Sequence, residues 1–184
     1  MGMVIGLQSS SGMNEKLERF HDLVKDIEVA MLTTRRSDGL LVSRPMATQA
    51  AAEGADLWFA TAKDSPKIAE LAHDGHVNLS YYKDRTREWI SVSGNARVVD
   101  DRAKIRELYR PDWRAWFGDE GGAHDGSADD PRIVLIGVDV VFAQCLEINK
   151  PAPVVLFEVV KGMLTGSPPD LGEVERLDGA ELRR

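Results

Sequence analysis

Two cations, Arg44 and Lys67, and two hydroxyls, Thr61 and Ser65, are the side chains of this sequence best suited to act together. Lys67 follows Asp64-Ser65-Pro66, which reads as a helix start with Ser65 at the N-cap and Pro66 at the first helical position. Leu57-Trp58-Phe59 just ahead is a short β-favouring run, so a strand feeds a helix N-terminus here. Such a terminus offers unpaired backbone N–H groups and the positive end of a dipole. Joined by the Thr61 hydroxyl and the Lys67 ammonium, it suits a phosphate. The competing reading of this stretch alone is an ordinary capped helix with a solvated lysine. Arg44, on a strand upstream, shifts the balance. By itself it reads as a surface ion pair; beside Thr61, Ser65 and Lys67 its planar fork completes a two-cation phosphate clamp.

Other chemistries find less support. His73 and His76 bracket Asp74-Gly75, but Gly75 interrupts the helix that would align them for a metal, so solvated histidines are expected. Asp119, Asp125, Asp129 and Asp130 lack the calcium-loop frame and its distal glutamate. No nucleophile elbow occurs, Ser93-Gly94 falls mid-strand, and Cys145 sits in an apolar strand that favours an inert thiol. Trp113 and Trp116 read either as an aromatic wall or as packing residues. Neither glycine-rich nucleotide fingerprint is present.

The elements that must position these residues follow from periodicity. With 184 residues, 43% of them hydrophobic, the chain can bury one real core. A formal charge of −7 disfavours a general nucleic-acid or anionic-membrane surface. The single cysteine fits a reducing cytoplasm, and Met3 to Leu7 is too short for an export signal. Residues 1–13 read as an irregular terminus, 14–165 as the folded domain and 166–184 as a polar tail.

Asn14 is the expected cap of a first helix that turns Leu17, Phe20, Val24 and Ile27 inward. Val29–Thr34 and Leu40–Gln49 form a hairpin in which Val42, Arg44, Met46 and Thr48 share a face. Pro45 marks an edge or a bulge. Leu57–Ala60 is a third strand, and Val77–Tyr82 with Trp89–Val99 form a second hairpin with Gly94 inside it. A helix capped by Asp100 or Asp101 follows, then a Gly- and Asp-rich stretch, 118–130, expected to be mobile. Strands at Arg132–Val140 and Phe142–Ile148 and an amphipathic segment at Pro153–Leu164 complete the order. Short antiparallel strands joined by hairpins, with helices tucked between them, indicate a small β-barrel of the α+β kind and not a doubly wound parallel sheet.

Taken together, Ser43-Arg44-Pro45-Met46-Ala47-Thr48-Gln49, Leu57-Trp58-Phe59-Ala60-Thr61 with Ser65-Pro66-Lys67, Val77-Asn78-Leu79-Ser80-Tyr81 and Ser91-Val92-Ser93-Gly94-Asn95-Ala96 resemble the pyridoxamine 5′-phosphate oxidase-like split barrels. The general stress protein branch, which binds FMN, is the most similar. The resemblance implies an α+β, mainly β, six-stranded antiparallel split β-barrel with flanking helices, forming a homodimer with FMN at the subunit interface. Arg44 and Lys67 would hold its phosphate, with Ala60, Thr61 and Ser65 beside it. Pro45, Met46, Ala47, Thr48 and Gln49 would run along the flavin ring, and Trp89 would take the place of a glutamine that the oxidases supply from the partner. The C-terminal R-x-W and R-L-A-P-type elements of the true oxidases are missing, which argues against that activity. Cys145-Leu146-Glu147 replaces the Tyr-Trp-Asp common in the stress-protein branch. The resemblance therefore implies a flavin-dependent oxidoreductase linked to stress, or alternatively a non-enzymatic FMN-sequestering protein. Related split barrels that use haem or a deazaflavin supply a further alternative, with His73 or His76 as axial ligand for haem.

Overall fold

The computed structural model describes residues 10–148, 151–168, 170 and 172–182. The elements run α1 (Ser10–Ile27), β1 (Val29–Arg35), β2 (Leu41–Ala47), β3 (Leu57–Ala62), α2 (Pro66–His73), β4 (His76–Tyr82) and β5 (Trp89–Val99). There follow α3 (Arg102–Leu108), a 3-10 turn (Pro111–Trp113), α4 (Arg114–Phe117), β6 (Ile133–Glu147), α5 (Ala152–Thr165), β7 (Glu173–Asp178) and α6 (Gly179–Leu182).

The six-stranded antiparallel path is β2-β1-β4-β5-β6-β3, with the short β7 added to β6. It curls until its ends nearly meet: Thr48, just past β2, bridges Phe59 of β3, and the Gln49 N–H donates to the Trp58 carbonyl at 2.8 Å. The result is the expected split barrel. Pro45 lies on the end strand β2 opposite Met31, in unbroken register, so its missing N–H is accommodated by the edge without a bulge.

The bulge lies elsewhere. Ser93 pairs with Phe142 but Gly94 pairs with Val140, so Val141 is the extra residue in β6. A Cβ on Gly94 would stand 2.7 Å from the Asp139 carbonyl oxygen, which is why glycine occupies that position. The insertion shifts the inward set of β6 from Ile136, Val138 and Val140 to Ala143 and Cys145. It also explains a correction. The two strands expected at 132–140 and 142–148 are one bent strand, whose first half pairs with β3 and whose second half pairs with β7.

Further differences from expectation are local. α1 begins at Ser10, so Asn14 lies inside the helix and does not cap it; of the N-terminal stretch expected to be irregular, 1–9 lies outside the described residues. The C-terminal stretch expected to be a polar tail contains β7, whose Leu177 is buried in the barrel. The 118–130 stretch is closely hydrogen-bonded: Asp130 is fully buried and accepts from the Gly126 and Arg132 N–H groups and from the Arg132 guanidinium.

Two cores result. Inside the barrel, Leu32, Phe59, Leu79, Tyr81, Ile90 and Val92 pack beneath Phe20, Leu23 and Val24 of α1. Outside β3 and β6, Trp58, Ile133 and Leu135 pack on Ile105 and Leu108 of α3 and on Trp113. β3 is therefore buried on both faces, and the start of α2 is built on a rigid strand.

Candidate functional site

Ser65 occupies the N-cap of α2 and Pro66 its first turn, as the local sequence predicts, but the Ser65 hydroxyl does not cap a backbone N–H. It instead accepts from the Lys67 ammonium at 2.7 Å, while the Thr61 hydroxyl, on β3, accepts from the same ammonium at 2.8 Å. Lys67 is thus folded back over its own helix start and is nearly buried. Burial, and after it the nearby Arg44, push its ammonium below the usual lysine range, against the pull of Glu70.

Arg44 arrives from β2 with Val42, Met46 and Thr48, the half-buried face that alternation predicts. Its guanidinium forks onto Glu70 of α2: Nη1 donates to Oε2 at 2.8 Å and Nη2 to Oε1 at 3.1 Å. Nη1 also donates to the hydroxyl of buried Thr34 at 2.7 Å, and that hydroxyl donates to Glu70 Oε2 at 2.5 Å. Hydrogen bonds from Arg44 hold the Glu70 carboxyl below the usual range, against the opposing effect of burial and with help from Thr34. Of the five guanidinium donors, the Nε–H and one Nη2–H have no partner among the described residues. Lys67 likewise keeps one free donor there.

The structure therefore brings Arg44, Thr61, Ser65 and Lys67 into one cluster. Glu70 and Thr34 belong to it and were missed by sequence reasoning. Glu70 stands three residues after Lys67, the spacing of neighbours along one helix face, and that spacing was the available signal.

The remaining candidates are spread out. Pro45 and Ala47 face outward on β2 opposite Met31 and Val29. Met46 packs against the barrel core. Thr48 shares a 2.9 Å hydrogen bond with Tyr81, whose phenol burial pushes up to about 12. The Gln49 amide donates to the Ala47 carbonyl at 2.8 Å and accepts from the Trp113 indole N–H at 3.1 Å. Ala60 packs at the margin of the outer core. Trp89 sits at the start of β5 between Tyr82 and Leu146 and makes no described contact with the cluster.

A cavity of about 540 Å³ opens beside Thr48 and Gln49, walled by His21, Glu28, Trp58 and Arg110. It is separate from the cation cluster, and its Arg110 is paired with Glu28 and Asp112. Lys25 also lines this cavity, whereas the paired hydroxyls and the second cation of the cluster lie at Thr61, Ser65, Arg44 and Lys67.

Cys145 is buried, and burial followed by Glu175 and Glu147 pushes its thiol up to about 11, the direction that disfavours the thiolate. His76 is exposed and bonded to Asp74 at 2.7 Å. Trp113 and Trp116 do not form a common wall: Trp113 is buried in the outer core and Trp116 is exposed.

Residues 15–170 match the family described as Pyridoxamine 5′-phosphate oxidase like. The chain belongs to this family. Protein bli-3 of Neurospora crassa is 35% identical over 180 residues, covering 96% of this chain and 86% of that protein. Among solved structures, the general stress FMN/FAD binding protein of Xanthomonas citri superposes with a TM-score of 0.61 at 28% identity, over 76% of this chain and 92% of its own. A Jannaschia sp. CCS1 protein assigned as general stress protein 26 gives 0.66 at 24% identity, over 90% and 99% of the two chains. The split barrel of this pyridoxamine 5′-phosphate oxidase-like chain is thus shared with general stress proteins. No helix among its described residues is long and apolar enough to cross a membrane.

The donor set fits a phosphate monoester: two cations with uncommitted N–H groups and two hydroxyls, carried by the end strand β2, the double-buried strand β3 and a helix start.

Proposed function

We propose that this protein is a cytoplasmic FMN-binding flavoprotein, with the phosphate held by Arg44 and Lys67 and the ring lying along Pro45–Gln49. One observation carries the reading: the guanidinium and ammonium that the sequence leaves on separate segments share one cluster and retain free donors. The described FMN/FAD binding of the Xanthomonas relative supports the choice of flavin. A bound flavin supplies redox chemistry, and this chain's residues bind and orient it. The same proposal makes the protein an oxidoreductase that takes reducing equivalents from a nicotinamide or similar donor in a stress response.

The second subunit enters as part of the proposal. Val29 and Met31 of β1 are exposed beside Pro45 and Ala47 of β2, giving an apolar outward face along the strip assigned to the ring. α5 adds exposed Leu156, Phe157, Met163 and Leu164. Apolar surface of this extent fits a symmetric homodimer that closes over the flavin and brings Trp89 from the partner.

The test is a titration of the purified protein with FMN and with riboflavin, followed by fluorescence quenching, and a visible spectrum with mass identification of any copurifying chromophore. FMN should bind at least about tenfold more tightly than riboflavin, because each charge-assisted bond to the phosphate contributes about 1.5–3 kcal/mol. Equal affinities would overturn the phosphate assignment. Oxidation of NADH or NADPH above the free-FMN background distinguishes an oxidoreductase from a protein that only sequesters flavin. Sedimentation as a monomer at micromolar concentration would rule out the interfacial site.

A further inference from the structure

Glu70 is the feature of the cluster that a phosphate site does not explain. A carboxylate beside a bound anion is repelled by it, and this one is nearly buried, ionised and committed through both oxygens to Arg44. Yet Arg44 and Lys67 are two cations in a partly desolvated site, and they disfavour each other: Arg44 is a cause of the lowered Lys67 ammonium and Glu70 opposes it. Arg36, in the turn between β1 and β2, also lies within electrostatic reach of Glu70 and is paired with Asp38 at 2.8 Å. Among the described residues Glu70 is the acid that pairs with Arg44, and it is the acid whose charge opposes the effect of Arg44 on Lys67.

We propose that Glu70 is the built-in counter-ion of this cation pair: it stabilises Arg44 and Lys67 when no phosphate is present and moderates how tightly they hold one. The proposal rests on the phosphate assignment made above. Thr34 completes the arrangement, accepting from Arg44 and donating to Glu70, so the guanidinium is held by Nη1 and one Nη2 hydrogen while its Nε–H and second Nη2–H stay available. Arg44, Lys67 and Glu70 together carry a single net positive charge. A monoester dianion is attracted by both cations and repelled by the carboxylate. A strand arginine and a helix acid therefore set the affinity jointly, and the flavin stays exchangeable.

The experiment compares the ratio of riboflavin to FMN dissociation constants in wild type and in Glu70→Gln, because the ratio isolates the phosphate from the ring. Removing one negative charge next to the phosphate should raise this ratio on the order of tenfold. Thermal stability without flavin should fall, and inorganic phosphate should restore more of it in Glu70→Gln than in wild type at matched ionic strength. A bond that is only structural predicts lost stability with an unchanged ratio, and a residue that only aims Arg44 predicts a lower ratio; either result overturns the proposal. Glu70→Asp keeps the charge and should keep a ratio close to wild type; an increase like that of Glu70→Gln would assign the effect to loosening. Should Glu70→Gln fold poorly, its refolding yield becomes the readout, and inorganic phosphate doing no better than sodium chloride overturns the proposal. Wild type that binds riboflavin as tightly as FMN removes the phosphate assignment itself, a failure distinct from an unaltered ratio in the variant.

Discussion

Two buried acid–arginine pairs in this molecule look alike and do different work. In the 118–130 loop, Asp130 accepts from the Arg132 side chain at 2.6 Å and from two backbone N–H groups, while Arg132 continues to the Gly118 carbonyl and to Glu120. Acids outnumber bases there, and the carboxylate is closed within its own loop. At the start of α2 the reverse holds: Arg44 and Lys67 outnumber Glu70, the partners come from β1, β2, β3 and α2, and donors remain. The difference teaches that hydrogen bonding by itself does not mark a binding site. The Asp130 carboxylate is fully paired and acts as a staple, whereas the cluster at α2 keeps surplus positive charge and uncommitted donors, the pattern on which the proposed phosphate site rests.

Breaking the staple should give the largest effect. Asp130→Ala leaves the Gly126 and Arg132 N–H groups without their acceptor, and we expect a loss on the order of 3 kcal/mol in urea unfolding, with the riboflavin-to-FMN ratio unchanged. A changed ratio would mean that the loop reaches the site and would erase the contrast.

Lys67→Met should show the opposite pattern. Loss of one charge-assisted contact should weaken FMN binding by roughly 1.5–3 kcal/mol. Stability should change less than in Asp130→Ala, because relief of a partly desolvated ammonium by an apolar side chain of similar length offsets the hydrogen bonds lost to Thr61 and Ser65. A stability loss matching that of Asp130→Ala would make Lys67 a structural residue.

Gly94→Ala probes the scaffold that both regions share. A methyl group 2.7 Å from the Asp139 oxygen must displace backbone, so we expect about 1–3 kcal/mol of destabilisation, read by thermal unfolding.

Acid titration should give a smaller, graded effect. Asp130 and Glu70 both have folded-state proton affinities below their usual values, through Arg132 and Arg44 respectively. Their contribution to stability is fully present above the unfolded carboxylate pKa of about 4 and is lost as pH falls below it toward the depressed folded values. In Asp130→Asn the slope of stability against pH between about 4 and 2 should be shallower than in wild type.

Much of the site could be read in the sequence because its parts are local. Ser65-Pro66-Lys67 behind a β-run specifies a strand, a helix start and a cation within a few residues, and alternation along β2 places Arg44 on its half-buried face. What escaped was non-local. A glutamate three residues into an ordinary helix looks like any solvated acid until β1 and β2 set Thr34 and Arg44 against it. The β6 bulge was equally hidden, since Gly94 marked the close approach while the extra residue, Val141, lay on the partner strand. The 118–130 loop looked mobile because Gly and Asp favour turns, and only the burial of Asp130 shows that it is tied down.

By itself, the sequence determined the mainly-β class, the order of elements from α1 to α3, the helix start and the two cations, since propensity, alternation and capping act over a few residues and need no distant partner. Tertiary structure alone decided that the two cations come within electrostatic reach of each other, that Glu70 pairs with Arg44, that β6 is one bent strand and that the barrel closes at Thr48 and Phe59. Each of these depends on curling the sheet until residues far apart in sequence touch, and charge interactions take their strength from that proximity and burial.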